Sequence, residues 1–286
     1  MANRLSTEQR ARIVGCLVEG NSIRATVRMT GAAKNTVVKL LVDLGAACSA
    51  YQDETLRGLD CQRVQVDEIW SFVGAKQKNV TAEHPVDFGD VWTYVAIDAD
   101  TKLVPAWLVG QRTAEDAELV LRDLASRLTG RIQLTTDGLR VYAWAAEGAF
   151  GGEVDYAMLI KLYGNSPQGP QTRYSPAPCV GTEVKKVSGA PDPAHIATSY
   201  VERQNLTMRM GMRRFTRLTN AFSKKVENVV HAVSLHFMFY NFARPHQTLT
   251  KANGGRPTTP AMAAGVADQV WTLRDIAGLL DQPQSN

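Results

Sequence analysis

The amino-acid sequence predicts an α/β fold in which a mixed sheet is flanked by helices and follows a small all-α module at the amino terminus. Three observations support this prediction. Apolar residues recur at helical spacing through about the first fifty residues, whereas runs rich in β-branched and aromatic residues begin near residue 61. Helical spacing returns after residue 198. The chain has 286 residues, 44% of them hydrophobic, which leaves room for one large domain and a small one.

Three helices are predicted at the amino terminus. A capping box begins at Ser6, and Ser22 can cap the second helix. Gly31 then permits a tight turn before a third helix over residues 33–44, which Gly45 is expected to end. Two short helices joined through a glycine turn are typical of a helix-turn-helix unit. A generic three-helix bundle explains the same spacing, so both interpretations stay open.

The predicted third helix carries polar side chains long enough to reach DNA. In a helix-turn-helix unit, this helix lies in the major groove, where its side chains contact base edges and phosphates. On the first of the two interpretations, we expect DNA contacts from Lys34, Asn35, Thr36 and Lys39.

From about residue 61 onward, strand patterns surround one capped helix. The second and third strands look like a hairpin that turns at residues 98–101. Three strands, a helix and then further strands and helices is the ribonuclease-H-like order, in which polar residues near strand ends converge on a crevice. The predicted strands span residues 64–73, 91–97, 103–109, 132–136 and 154–162, and the capped helix spans residues 113–128.

The rest of the chain divides into an insertion, helices and a linker. Prolines and glycines interrupt every apolar run in residues 164–198, so we predict a long loop there with at most a short strand at 183–187. Helices are expected over residues 199–212, 224–242 and 270–280. The predicted domains are a helix-turn-helix module at 1–50, a ribonuclease-H-like catalytic domain at 60–245 with its insertion at 164–198, and a linker and helix at 246–286.

Three acidic residues stand where such a fold would place metal ligands. Asp67 lies inside an apolar strand, Asp137 ends a strand, and Glu202 falls within a later helix. Mg²⁺ and Mn²⁺ prefer carboxylate oxygens, and two such ions can clamp the attacking and leaving oxygens of a phosphodiester displacement. Each acid alone also fits an ordinary role, as a salt-bridged strand residue, an Asx turn or a helix cap. Glu68 is predicted to point to the opposite face of its strand, outside this site.

Positive charge is concentrated after Glu202. Between Val201 and Glu227 there are seven basic and two acidic residues, so the local charge of seven minus two, or +5, exceeds the +4 of the whole chain. Solvated helices usually interleave opposite charges, so an unbalanced run favours phosphate contacts. The basic residues are Arg203, Arg209, Arg213, Arg214, Arg217, Lys224 and Lys225.

Composition argues against several other classes of protein. The sequence has no run of 18 apolar residues, and its amino terminus lacks the apolar segment of a secretory signal, so we expect a cytoplasmic, nucleoid-associated protein without a membrane partner. The four cysteines form no Cys-x-x-Cys pair. Neither a zinc knuckle nor a disulfide framework is therefore indicated.

Four strings resemble a known family: VDEIWSFVGAKQKN, TTDG, TSYVERQNLTMRMGMRRFTRLTNAFSKK and YNFARPHQTL. Together they are similar to bacterial insertion-sequence transposases with a DDE catalytic domain, closest to the insertion sequence one type, over about residues 60 to 265. The resemblance implies a ribonuclease-H-like core whose catalytic, metal-binding acids are Asp67, Asp137 and Glu202. It also implies an amino-terminal module that recognises terminal inverted repeats. Many relatives carry a cysteine-rich zinc finger, whereas Cys16 and Cys48 have no partners for one here.

The function expected from these patterns is DNA transposition with two Mg²⁺ or Mn²⁺ ions. The partners would be the element ends and target DNA, held by a homo-oligomer in a synaptic complex. Two alternatives remain at this stage: a nuclease of the same fold that cuts DNA without joining it, and a non-enzymatic regulator that binds an operator through the helix-turn-helix. Intact acids at all three positions disfavour the regulator.

Overall fold

A computed structural model describes residues 5–166, 177–216 and 220–281. Within these ranges, six strands form one mixed sheet with helices packed against it. The central strand β1 is lined by fully buried Val64, Val66 and Ile69, which explains why its apolar run forms the middle of the core. The strands are β1 (Arg63–Val73), β2 (Gly89–Asp98), β3 (Ala106–Gly110), β4 (Ile132–Thr136), β5 (Val154–Tyr163) and β6 (Cys179–Ser188).

The strand order is β3-β2-β1-β4-β5-β6. The strands β1, β2 and β3 form an antiparallel meander, β4 and β5 run parallel to β1, and β6 returns antiparallel to β5. This mixed α/β arrangement is compatible with a ribonuclease-H-like fold, as the order of the sequence patterns predicted.

Ten helices lie within the described residues. They are α1 (Thr7–Val18), α2 (Ile23–Thr30), α3 (Lys34–Thr55), α4 (Ala114–Arg127), α5 (Val141–Phe150), α6 (Ser199–Gly211), α7 (Glu227–Met238), α8 (Gln247–Ala252), α9 (Pro260–Ala263) and α10 (Leu273–Gly278).

Helices cover both faces of the sheet. Tyr94 of β2 packs edge-on against Tyr142 of α5. Its neighbour Val95 pairs with Trp107 of β3, which packs against Phe237 of α7. Because successive strand residues point to opposite faces, α5 and α7 lie on opposite sides of the sheet. The helix α6 contacts β1 and β2.

The amino-terminal helices begin where the sequence predicted. The capping box at Ser6 is formed, Ser22 Oγ accepts a hydrogen bond from the Ala25 amide, and Gly31 adopts a left-handed conformation with φ of 73°. The prediction that Gly45 ends the third helix is wrong, because α3 continues to Thr55. A helix-turn-helix function for these helices stays a prediction, as does the division into domains.

Gly45 has a packing role that explains its position within α3. A Cβ atom at this position would lie 2.5 Å from His231 Cβ and 2.7 Å from the His231 backbone carbonyl oxygen of α7. The absence of a side chain therefore lets α3 and α7 approach closely. In the same contact, Ser234 Oγ donates a hydrogen bond of 2.7 Å to the Gly45 carbonyl oxygen.

The insertion and the carboxyl-terminal part also differ from prediction. Instead of a short strand at residues 183–187, a ten-residue strand β6 pairs with β5. Most of its side chains are exposed, so the sequence carries little burial pattern to reveal it. The helix expected over residues 224–242 is α7 followed by a π-helical turn at Phe239–Ala243. Residues 167–176 of the insertion lie outside the described residues.

In the part of the chain that the structure describes, no helix has both the length and the apolar character needed to cross a membrane.

Replacing Gly45 by alanine should lower the free energy of unfolding by about 1–3 kcal/mol, because the added methyl group overpacks the contact with α7. Chemical denaturation measures this change. The matched control is Gly278→Ala in α10, where a Cβ meets no atom within 4 Å. This variant should be neutral or more stable by up to about 1 kcal/mol. Equal losses in both variants would show that Gly45 has no special packing role.

His236 should make folding sensitive to acid. Its side chain is buried, neither ring nitrogen has a hydrogen-bond partner among the described residues, and burial lowers its pKa from 6.5 to about 3. Between about pH 3 and pH 6.5, His236 binds a proton in the unfolded chain and stays neutral in the folded chain. Stability should therefore fall by about 1.4 kcal/mol per pH unit below about 6.5 from this group. His236→Leu should flatten that slope in pH-dependent denaturation, and the exposed-site variant His195→Leu should leave it unchanged.

Candidate active site

Two of the predicted acids meet where the parallel strands β1 and β4 pair. The register places Val66 opposite Thr136, the last residue of β4. Asp67 is the next residue of β1, and Asp137 directly follows β4, so the two acids are neighbours across the strand pair. Asp137 begins a tight turn, since its Oδ1 accepts a hydrogen bond of 2.9 Å from the Leu139 amide. The Asx turn considered from sequence is therefore present, and it leaves Oδ2 of Asp137 facing the neighbouring charged groups.

Glu202 lies at the same cavity but comes from a helix, later in the sequence than both strands. It lies in the first turn of α6, the helix that crosses β1 and β2. Asp67, Asp137 and Glu202 line one cavity of about 480 Å³. Arg112, Lys161, Tyr163 and Thr198 contribute polar side chains to its wall. The structure thus brings the three acids of the sequence prediction to one cavity.

The tightest acidic cluster nevertheless has a different membership. Carboxylate oxygens of Asp67, Glu68 and Asp137 lie within 4.8 Å of one another. The prediction that Glu68 stays outside the site is wrong. As neighbouring strand residues, Asp67 and Glu68 point to opposite faces of β1. Because β4 ends at Thr136, the turn at Asp137 lies beside β1. The Asp137 carboxylate can therefore approach side chains on either face of β1.

Both oxygens of Glu202 already have partners. Thr198 Oγ1 donates a hydrogen bond of 2.5 Å to Oε1, and Lys161 Nζ forms an ion pair of 2.5 Å with Oε2. Lys161 comes from β5, on the far side of β4 from Asp67. Glu202 is therefore held against the wall of the cavity, apart from the three clustered carboxylates.

Burial, together with the charges of neighbouring carboxylates, raises the pKa of Asp67 and Glu68. Burial, followed by the charges of Asp137 and Asp67, raises the pKa of Glu68 to about 8. Burial and the charge of Asp137 raise the pKa of Asp67 to about 6. Oε1 of Glu68 is buried and accepts no hydrogen bond from the described residues. If all three carboxylates were ionised, the cluster would hold more negative charge than its surroundings neutralise.

Arg112 supplies positive charge close to the cluster. Its Nε lies 3.7 Å from Glu68 Oε1, and its Nη2 lies 3.8 Å from Asp137 Oδ2. These distances are too long for hydrogen bonds, so the attraction is purely coulombic. The guanidinium lies over the Trp92 ring, 4.7 Å from its centroid. The opposite side of the cluster is fixed by Asn205, whose Nδ2 donates a hydrogen bond of 2.9 Å to Asp67 Oδ2.

These residues fit a divalent metal ion. The donor set consists of carboxylate oxygens, which are the ligands of Mg²⁺ and Mn²⁺, and includes no cysteine or histidine. The buried, unbonded oxygen of Glu68 and the raised pKa values are what a cation would relieve. Asp67, Glu68 and Asp137 would hold the ion, and Glu202 lines the same cavity.

Sequence reasoning missed Glu68, Arg112 and Lys161. Strand alternation predicts that Glu68 faces away from the site, but it carries no information about the end of β4, which lies beside Glu68. The other two residues lie far from the acids along the chain and within no motif. They come near Asp137 and Glu202 only through the tertiary fold.

The predicted DNA-contacting residues separate into groups. One set from two distant segments lines a second groove of about 930 Å³: Lys34, Asn35, Arg213, Arg214, Lys224 and Lys225. Thr36 and Lys39 do not line it, and Lys39 forms an ion pair with Asp43. Arg203 and Arg209 lie on α6, away from this groove. Arg217 lies outside the described residues.

A scan against protein-family models gives no match, and a search of curated proteins finds no relative. Among solved structures, a cryo-EM structure of a piggyBac transposase synaptic complex with hairpin DNA is similar at a TM-score of 0.39 and 11% sequence identity. The similarity covers 97% of this chain and 72% of that one. This TM-score is below the level at which two chains are taken to share a fold. The chemistry of the candidate site is therefore inferred from the strand topology and the side chains of this chain alone.

The charge balance of the cluster predicts opposite effects for two variants. In chelator and above pH 8, where Glu68 is ionised, Glu68→Gln should raise the melting temperature, because it removes a buried charge from a repulsive cluster. Arg112→Gln should lower stability by about 1 kcal/mol or more, because two carboxylates lose their nearest counter-ion. Differential scanning fluorimetry measures both.

Arg122→Gln is the matched control for Arg112, since Arg122 pairs with Glu118 on the exposed surface of α4. Its effect should stay within about 0.5 kcal/mol. Mn²⁺ should restore most of the stability lost in Arg112→Gln, and it should stabilise Glu68→Gln less than the wild type. Equal shifts for Glu68→Gln and Arg112→Gln would contradict this electrostatic account.

Proposed function

We propose that the chain is a DDE transposase that binds the terminal inverted repeats of an insertion sequence and catalyses metal-dependent DNA cleavage and strand transfer. The observation that carries the proposal is the cavity shared by Asp67, Asp137 and Glu202, which come from three separate segments of a sheet compatible with a ribonuclease-H-like fold. The resemblance of the surrounding strings to insertion-sequence transposases supports the same activity.

In this proposal, Asp67, Asp137 and Glu202 bind two Mg²⁺ or Mn²⁺ ions, and Glu68 adds a carboxylate to the first pair. The ions, when bound, supply charge stabilisation at the attacking and leaving oxygens. Asn205 keeps the Asp67 carboxylate oriented, while Thr198 and Lys161 orient Glu202. The cations Arg112 and Lys161 line the cavity and would attract a phosphodiester into it.

The chemistry consists of two displacements at phosphorus. In the first, a water oxygen bonds to phosphorus while the bond to the 3′ oxygen breaks, and that oxygen leaves as a 3′-hydroxyl after taking up a proton. In the second, this 3′-hydroxyl oxygen bonds to the phosphorus of a target phosphodiester and gives up its proton. The bond from that phosphorus to the target's own 3′ oxygen breaks, and that oxygen takes up a proton and leaves as a new 3′-hydroxyl. Neither step requires a covalent link between protein and DNA.

DNA binding in this proposal involves the helix-turn-helix residues Lys34, Asn35, Thr36 and Lys39 and the basic run that follows Glu202. The two ends of the element would be held together by a homo-oligomer of the chain in a synaptic complex. The positive charge of the groove residues supports this assignment.

An in vitro strand-transfer assay with element-end DNA tests the proposal. Asp137→Asn and Glu202→Gln should reduce cleavage and joining in Mg²⁺ by about 100-fold or more, since several kcal/mol of charge stabilisation are lost. End binding, measured by gel shift, should persist. The control Glu153→Gln alters an exposed carboxylate that only approaches Arg131, and it should behave as wild type.

Other outcomes would replace the proposal with an alternative. Metal-dependent cleavage without a joined product would identify a nuclease of the same fold. End binding with neither cleavage nor joining in the wild type would identify a regulator. Wild-type cutting by Asp137→Asn would refute the assignment of the site.

A further inference from the structure

A groove of about 930 Å³ brings together two segments that are far apart in sequence. One wall is the start of α2 and α3, and the other is formed by residues 213–214, 220–225 and 228. Six of the described residues that line it are basic, and none is acidic: Arg24, Lys34, Arg213, Arg214, Lys224 and Lys225. Such an excess of one sign makes the groove a site for an extended anion.

The groove also offers uncharged donors and an apolar floor. Asn21, Ser22, Asn35, Asn220 and Asn228 can donate hydrogen bonds from their side chains, and Ile23, Val38 and Phe222 supply apolar surface. Phe222 packs on Phe72, with ring centroids 5.0 Å apart. Alternating charge, hydrogen-bond donors and apolar surface match the phosphates and sugars of a nucleic-acid backbone.

Both walls are anchored to the core. The Gly74 amide, just after β1, donates a hydrogen bond of 2.8 Å to the Ser223 carbonyl oxygen. Arg214 Nε donates a hydrogen bond of 2.8 Å to Ser223 Oγ. On the other side, α3 is fixed by its close packing on α7 at Gly45. The groove is therefore preformed, which reduces the ordering needed on binding.

The groove is separate from the acidic cavity. It adjoins the carboxyl end of β1, six residues beyond Asp67, which corresponds to about 20 Å along a strand. None of the described residues lines both sites. Substitutions in the groove can therefore be made without altering the carboxylates.

We propose that the starts of α2 and α3, together with residues 213–214, 220–225 and 228, form one composite site for the phosphate backbone of DNA. The amino-terminal helices and four residues of the basic run, Arg213, Arg214, Lys224 and Lys225, then lie on two walls of a single binding site. This inference deepens the proposed function, because the same DNA would extend from the groove to the cavity. It requires no cleavage, however, so binding without a divalent metal tests it separately.

The test is fluorescence anisotropy of the full chain with a labelled DNA duplex of mixed sequence, titrated over a range of salt concentrations in chelator. Lys34→Gln should reduce the slope of log affinity against log salt by about 1, and Lys224→Gln with Lys225→Gln should reduce it by about 2. Lys251→Gln is the charge-matched control, because Lys251 is exposed on α8 outside the groove, and it should not change the slope.

A loss of affinity on changing Lys34 alone, with no effect from the Lys224 and Lys225 pair, would overturn the composite site. So would a loss in Lys251→Gln as large as that in Lys34→Gln. Binding of polyglutamate, a polyanion without a nucleic-acid backbone, is measured in the same assay. If polyglutamate bound as tightly as DNA, and the groove variants weakened both equally, the assignment to DNA would be wrong. Failure of cleavage in the strand-transfer assay, with these binding results intact, would instead reject only the transposase activity.

Discussion

The parallel pairing of β1 with β4 is the constraint on which the candidate site depends. It aligns Val66 with Thr136, so the next residues, Asp67 and Asp137, come together although seventy positions separate them in sequence. The early end of β4 has a second effect, since it brings the carboxylate of Glu68 into reach as well. A shift of one residue in this register would turn the Asp67 side chain to the other face of the sheet and separate it from Asp137.

The resulting concentration of carboxylates works against folding unless it is compensated. Within the described residues, compensation is partial and comes from distant parts of the chain. Arg112 approaches Glu68 and Asp137 without hydrogen bonding to them, and Lys161 is already paired with Glu202. Carboxylates that would hold unneutralised charge when ionised in partly buried surroundings favour a cation, because the cation stabilises their ionised forms.

Much of the fold was readable from the sequence because its elements have strong local signals. The caps at Ser6 and Ser22, the apolar run of β1 and the capped helix α4 each depend on neighbouring residues alone. The continuation of α3 through Gly45 was not readable, since its cause is the contact with His231. The strand at residues 183–187 was predicted too short, because pairing with β5, rather than burial, holds the full length of β6 in place. For the site, the three acids could be proposed from their order, but Glu68, Arg112 and Lys161 enter through strand register and pairing that no local pattern encodes.

The central claim is that the carboxylates at the end of β4 form one cation site. Crystals of the full chain soaked in Mn²⁺ test it most directly through the anomalous scattering of manganese. The account predicts an anomalous peak within coordination distance of both Asp67 and Asp137, which Asp67→Asn weakens or abolishes. Ordered carboxylates without a peak, or manganese bound only elsewhere on the molecule, would contradict it.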